Sequence, residues 1–458
     1  MKKLFLVLGT VMGLQMLLPA EAGAQEPVVS PVAASAHDTV TMNLNKVLEV
    51  ALTDNPSIIV AEKTIETKRY AKKETITGLF PTASLSATGT KNVQVATMAM
   101  AMGDQVIKVK MGRPYNYSGS ITAALPLVVP QLWKAITVSE EQVQLAVEQA
   151  RESKINTIAQ VKTAYYSLLL ARDSYEALLA AQRTAETNVK NARLMYEVGS
   201  ISEYDKLQAE VQLASIKPNL LSVENGIKLA EMNLKVLMGV DVNEPLKFEG
   251  KLSDYEEQLF ADLMKLKENT DLTDNSTLRQ LDANARLLRM SETINKLGYL
   301  PTVALALQAG YSAMPDDFNP FDASYYGSVG LTLSISWTLF DGMQKYMKTK
   351  QNKLAIESLE IQRENVARQL ELAVTSSLNG IETAAEQVVS NRENIYAAER
   401  AYGISQKRYE AGSGTMLELT ASESSLLQAR LQYVQAIYDF LSNRANLEQT
   451  LGKVVVGE

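Results

Sequence analysis

The 458-residue chain contains no cysteine and a single histidine, His37. Without cysteine there is no disulfide framework and no thiol to carry a lipid, so packing or assembly must hold the protein together. With one histidine, a hydrolase triad, a zinc site or a histidine general base has almost nothing to be built from. Phosphate-binding loops and dinucleotide fingerprints are missing as well. The chain is therefore read as not an enzyme, with no catalytic, metal-binding or cofactor-binding residue assigned. Its 52 acidic residues outnumber its 45 basic ones, which argues against a nucleic-acid partner. Glycine and proline are absent from 131–198, a stretch of 68 residues that as one helix would reach roughly 100 Å at about 1.5 Å per residue.

What is present begins with "MKKLFLVLGTVMGLQMLLPAEAGAQ": two lysines, an apolar run broken by Gly9, Gly13 and Gln15, then small residues at Ala22-Gly23-Ala24. This reads as a signal peptide over 1–24, too short and interrupted for a membrane anchor. Its removal takes away two Lys and one Glu, leaving 43 basic and 51 acidic residues and a net charge of −8. Residues 25–42 are rich in Pro, Ala and Ser without periodicity and read as a flexible leader.

The chain then repeats itself. "TDNPS" at 53–57 matches "TDNST" at 273–277, and "LFPTASLSATG" at 79–89 matches "YLPTVALALQAG" at 299–310. "YEVGSISEYDKLQAE" at 196–210 matches "YEAGSGTMLELTASE" at 409–423, and "LMG" at 237–239 matches "TLG" at 450–452. The boundaries that follow are a first repeat over 43–239, a short polar linker over 240–258, a second repeat over 259–452 and a tail over 453–458.

Each repeat holds two segments of strict period 2, expected as strands over about 82–96, 114–128, 302–313 and 324–340. In the first, Thr82, Ser84, Ser86 and Thr88 alternate with Ala83, Leu85 and Ala87. In the last, Val329, Leu331, Leu333 and Ile335 alternate with Ser328, Thr332, Ser334 and Ser336. A soluble sandwich would also alternate. The polar faces carry Ser, Thr, Asn and Gln with little charge, however, and aromatics collect at the strand ends (Phe80, Tyr299 and Trp337; Tyr115, Tyr117, Tyr311 and Tyr325), as in a membrane barrel with a wet lumen. Four strands cannot close a barrel, so several chains must share one; two copies would supply eight strands and three would supply twelve.

The remaining sequence is helical, with apolar residues at spacings of three and four, as at Ile155, Ile158, Val161, Tyr165 and Leu168. Pro218 is expected to kink or break the helix beginning near Ser202, and Gly380 and Gly403 to interrupt the long element starting near Met343. After each strand pair the chain runs some 65 residues away and must turn back. Gly199 and Gly412 fit the left-handed position that ends a helix, with Ser200 or Ser202, and Ser413 or Thr415, available to cap the next. The repeated stretches are thus hairpin tips, at about 196–202 and 409–415.

Duplicated halves with these turns, strand pairs entered through "LFPT" and "YLPT", and the "LMG" and "TLG" closings resemble the TolC-like outer membrane efflux protein family over roughly 43–452. The resemblance implies a mainly α fold with a membrane β-barrel portion: a homotrimer whose twelve-stranded barrel in outer membrane lipid is continued by a twelve-helix α-barrel across the periplasm. Helix-to-strand transitions would fall at Pro81 and Pro301. It also implies partners, a periplasmic adaptor and an inner-membrane transporter, with the adaptor docking at tips marked by Tyr196, Gly199, Ser200, Tyr409, Gly412 and Ser413. Asp205 and Glu418 match positions where the family narrows a periplasmic gate. Two departures stand out: Gly414 occupies a position where an Arg often latches that gate, and Ala421 one where a second acid sits. The implied function is small-molecule export through a gated duct. A one-step protein secretion duct or a structural envelope protein are the alternatives.

Overall fold

The computed structural model describes residues 40–102, 105–256, 259 and 270–453. The expected signal peptide, most of the leader including His37, the end of the 240–258 linker and nearly all of the tail lie outside the described residues. The chain forms two compact units. The smaller, residues 1–41 with 245–247, supplies most of two short strands, β1 (Val40–Met42) and β6 (Leu246–Phe248), which pair with each other.

The larger unit carries the duplicated architecture. Its first half runs through α1 (Leu44–Asp54), α2 (Pro56–Thr77), β2 (Thr82–Lys91), a hairpin of β3 (Thr97–Met102) and β4 (Gln105–Lys110), then β5 (Tyr115–Val128), α3 (Pro130–Glu197) and α4 (Glu203–Met238). A single 3₁₀ turn at Leu252–Tyr255 precedes the second half, which comprises α5 (Ser276–Leu297), β7 (Thr302–Ala313), β8 (Tyr326–Ser336), α6 (Gln344–Glu410) and α7 (Met416–Thr450).

Four strands form one antiparallel sheet in the order β2-β5-β7-β8. Register keeps parity across it. Leu85 faces Ile121, Leu125 faces Leu305, and Leu305 and Leu307 face Leu333 and Leu331. On the other face Ser86 meets Ser120, Thr122 meets Gln308 and Ala306 meets Thr332. One face is therefore apolar and the other polar, and no helix covers either: Leu85 is 70% exposed and Ile335 68%. Among the described residues, the outer edges of β2 and β8 have no strand partner.

Two expected strands are shorter than the alternation implied. The first stops at Lys91 rather than near 96, because its partner β5 begins at Tyr115 opposite Lys91. The stretch between the first two expected strands holds the β3–β4 hairpin, with Met98 opposite Val109 and Met100 opposite Ile107. The fourth strand ends at Ser336 rather than near 340, because β7 begins at Thr302 opposite Ser336; beyond it the Trp337 indole donates to the Tyr299 carbonyl at 2.9 Å.

Neither Pro218 nor the two glycines breaks its helix: α4 runs through Pro218, and α6 runs through Gly380 and Gly403. Pro218 and Ala214, whose carbonyl loses its partner, are both exposed, so water can take over the lost bond. Gly380 is a close approach rather than a break, since a Cβ there would lie 2.9 Å from the Asn443 side chain on α7.

The "TDN" and "LMG"/"TLG" motifs, read separately in the sequence, meet in space. Asn55 caps α2, accepting from Ser57 N, and donates to the Leu237 carbonyl at 2.7 Å; Asn275 caps α5, accepting from Leu278 N, and donates to the Thr450 carbonyl at 2.7 Å. Beside them Gly239 (φ 76°) and Gly452 (φ 72°) leave no room for a side chain, since a Cβ would stand 2.2 Å from the Asp54 carbonyl oxygen and 2.3 Å from that of Asp274. Each half is closed by the same knot.

Candidate functional site at the helical tips

Both tips are built alike. At the first, Gly199 adopts φ 74° and Ser200 N–H bonds back to the Met195 carbonyl at 2.8 Å. At the second, Gly412 adopts φ 70° and Ser413 N–H reaches the Arg408 carbonyl at 2.9 Å. A left-handed residue lets these amides satisfy the last carbonyls of α3 and α6, which is how a helix ends in a tight turn. Of the candidate caps, Ser202 and Thr415 take the role: their hydroxyls accept from Asp205 N and Glu418 N, each at 3.2 Å.

The two acidic residues thus occupy the same place in α4 and α7, near the positive end of the helix dipole, where a carboxylate is favoured. Their surroundings differ. Half-buried Asp205 accepts from the Ser202 hydroxyl at 2.7 Å. Exposed Glu418 pairs with the Arg408 guanidinium at 3.4 Å, and Arg408 also donates to the Ser413 carbonyl at 3.2 Å. A side chain at Gly414 would meet Arg408 and the Tyr409 amide at 3.1 Å, a tight fit that the turn would have to yield a few tenths of an ångström to admit. The guanidinium absent at 414 reaches the turn from Arg408 instead, a residue the sequence comparison passed over although it stands in the last turn of a helix, where cations are favoured.

The duplicated tyrosines diverge most. Tyr409 is 5% exposed, in a cluster with Val189, Ala192, Ala209, Met416 and Leu419 that joins α3, α4, α6 and α7. Burial, and then the nearby Asp205 charge, push its hydroxyl ionisation up. Tyr196 is 39% exposed and lies under the Lys206 ammonium, 4.4 Å from the ring centroid. An open groove of about 220 Å³ runs between α3 and α6 beside Tyr409, lined also by Asn191, Leu194, Met195 and Glu410. Pro81 and Pro301 lie far along the chain from these tips, each one residue before a strand, β2 and β7. Among the described residues no His, Cys, Asp or Glu cluster has the arrangement of a metal site, and no helix is long and apolar enough to cross a membrane.

Comparison with known proteins agrees with this layout. The profile of the family described as outer membrane efflux protein matches residues 47–240 and 270–453, one block per half. The outer membrane protein TolC of Salmonella enteritidis is 22% identical over 342 residues, covering 73% of this chain and 69% of TolC. The toluene efflux pump outer membrane protein TtgC of Pseudomonas putida is 21% identical over 416 residues, 89% of this chain and 82% of TtgC. The crystal structure of the outer membrane protein VceC from Vibrio cholerae superposes with a TM-score of 0.69 at 17% identity, over 90% of this chain and 96% of VceC.

Proposed function

The chain belongs to the outer membrane efflux protein family, and we propose that it forms the outer membrane duct of a tripartite efflux system, exporting small molecules as a homotrimer. One observation carries this reading: a four-stranded sheet with a bare apolar face, a bare polar face and two unpaired edges. In water such an edge invites aggregation and the apolar face is unfavourable; in lipid an open edge is more costly still. Three copies joined edge to edge, β8 of one to β2 of the next, would close twelve strands with Leu and Ile toward lipid and Ser, Thr and Gln toward a water-filled bore. The helices give the same message. Met347, Leu354 and Ile361 on α6 recur every seven residues and are 53%, 65% and 70% exposed, a seam without a partner in one chain. On α4, Leu207, Val211, Leu221 and Val236 are exposed too, and they offer the matching face from a neighbouring copy.

In this assembly the strands lie in the outer membrane and the helices form a periplasmic tunnel reached after signal-peptide export. The tips then stand in a ring at its far end. Asp205 and Glu418, three copies of each, would border the closed entrance, where like charges repel and cations are attracted. The turns at Tyr196, Gly199 and Ser200 and at Tyr409, Gly412 and Ser413 would receive a periplasmic adaptor that links the duct to an inner-membrane transporter. Pro81 and Pro301 mark the change from tunnel to barrel. The test is conductance of the purified protein in planar bilayers, with its mass in detergent. The expected result is a trimeric, cation-preferring pore whose conductance rises when Asp205 and Glu418 are neutralised together. A detergent-free monomer, or no pore in either protein, would refute the duct. Drug susceptibility of a deletion strain, set against its secreted proteins, separates small-molecule export from protein secretion.

A further inference from the structure

Above the second tip lies a carboxyl group that neither the turn nor the entrance uses. Glu423 on α7 is 4% exposed and seven residues past Met416, roughly 10 Å along the helix at about 1.5 Å per residue. Its Oε2 accepts from Asn188 Nδ2 of α3 at 3.1 Å; Asn188 is itself 5% exposed, and Tyr402 of α6 lines the same small cavity as Glu423. Its Oε1 is buried without a hydrogen-bond partner among the described residues. Three helices, α6 and α7 of the second tip and α3 of the first, therefore meet at one acid.

Among the described residues no cation answers it. From α3 the facing groups are Asn188 and Thr184, both neutral; from α6 they are Tyr402 and, farther off, the acid Glu410. Arg430, on α7 itself and lining the same cavity, is committed to Glu399 at 2.7 Å. On the α4 side the neighbouring contact is neutral, Gln212 Nε2 to Ser424 Oγ at 3.2 Å. A carboxylate held this way is poorly solvated and unpaired, whereas the neutral acid carries a proton for its orphan oxygen.

We propose that Glu423 is a proton-controlled fastener of the tip: neutral, it lets α7 pack against α3 and α6; ionised, it loosens the first turns of α7. This goes beyond the duct reading and rests on it only for the step from loosening to gate opening. Burial pushes the Glu423 carboxyl up to about 7 from the ordinary value of 4.5. The folded state then keeps a proton that the unfolded chain gives up, so the stabilisation is complete below about pH 4.5 and is lost as pH rises through about 7.

The experiment is amide hydrogen exchange on the full-length protein in detergent at pH 6 and pH 8, corrected for intrinsic rates. In the unaltered protein, amides over 416–426 should exchange about tenfold faster at pH 8, because the local opening equilibrium follows the titration. In Glu423→Gln, and in Glu423→Leu as a variant without a hydrogen-bonding head, the difference should fall below about twofold. A tenfold response that survives in both variants, or none in the unaltered protein, overturns the proposal. Bilayer recordings of the same proteins isolate the gate. A pH response in exchange with conductance unchanged leaves the fastener standing and removes the tips as the gate.

Discussion

The two longest helices differ by one residue in length, 68 in α3 and 67 in α6, and hold the same place in their repeats, yet they have different neighbours. Helix α3 packs against α2, α4, α5 and α7 and buries residues from Val143 to Ala192 along its length. Helix α6 packs chiefly against α5 and α7, and its buried positions are confined to the stretch from Val374 to Tyr409, with none in its first 30 residues. One repeat is completed by its own chain; the other ends on an apolar seam. A duplicated sequence cannot be a symmetric monomer if one copy lies at the centre and the other at the edge. The asymmetry is thus itself an argument for further copies of the chain.

The largest expected effects break this comparison outright. Leu354→Glu with Ile361→Glu on α6 should abolish the proposed trimer in detergent while leaving the helical content of the monomer nearly unchanged, because both side chains are already exposed. Leu168→Glu on α3, where the side chain is 0% exposed, should instead prevent folding, since an unpaired charge would be buried. Mass measurement with circular dichroism reads both. A trimer that tolerates the two glutamates would mean that the α6 seam faces water.

The tips give a smaller contrast. Truncating Tyr409→Ala opens a cavity at the meeting of four helices and should cost about 3 kcal/mol or more, the range for buried aromatic residues. Tyr196→Ala removes a half-exposed ring and one cation–π contact, worth about 0.5–1 kcal/mol. Thermal or denaturant unfolding of the two variants separates them, and equal losses would mean that assembly buries Tyr196 as deeply as Tyr409.

Much of the fold was legible because it depends on short-range periodicity. Parity assigned the two faces of β2, β5, β7 and β8, and Gly199 and Gly412 located the turns, since only local backbone geometry is involved. The β3–β4 hairpin carried a signal that was overlooked: Met98 and Met100 alternate with Ala99, and Val109 with Lys108 and Lys110. That α4 continues through Pro218 could not be read locally, because the local penalty says nothing of whether water can reach the freed carbonyl. The rest was long-range. Nothing in a window around Asn55 announces Leu237, 182 residues on, and nothing near Glu423 points to Asn188, 235 residues earlier. For the same reason identical tyrosines could not be sorted into buried and exposed: the environment of Tyr409 comes from Val189, Ala192 and Ala209, on the other repeat.

The smallest expected effect concerns two hydroxyl groups. That of Tyr409 is buried without a hydrogen-bond partner among the described residues. Removing an unsatisfied buried polar group while keeping the ring is neutral to favourable, so Tyr409→Phe should leave stability unchanged or raise it by up to about 1 kcal/mol. Tyr196→Phe, at a half-exposed ring whose hydroxyl water can reach, should change it by less than about 0.5 kcal/mol. The pair sharpens the contrast because it separates ring from hydroxyl. If Tyr409→Phe destabilises the assembled protein by more than about 1 kcal/mol, the hydroxyl has found an acceptor or donor on a neighbouring copy. The second tip would then owe its closure to a contact between chains as well as to its own four-helix cluster.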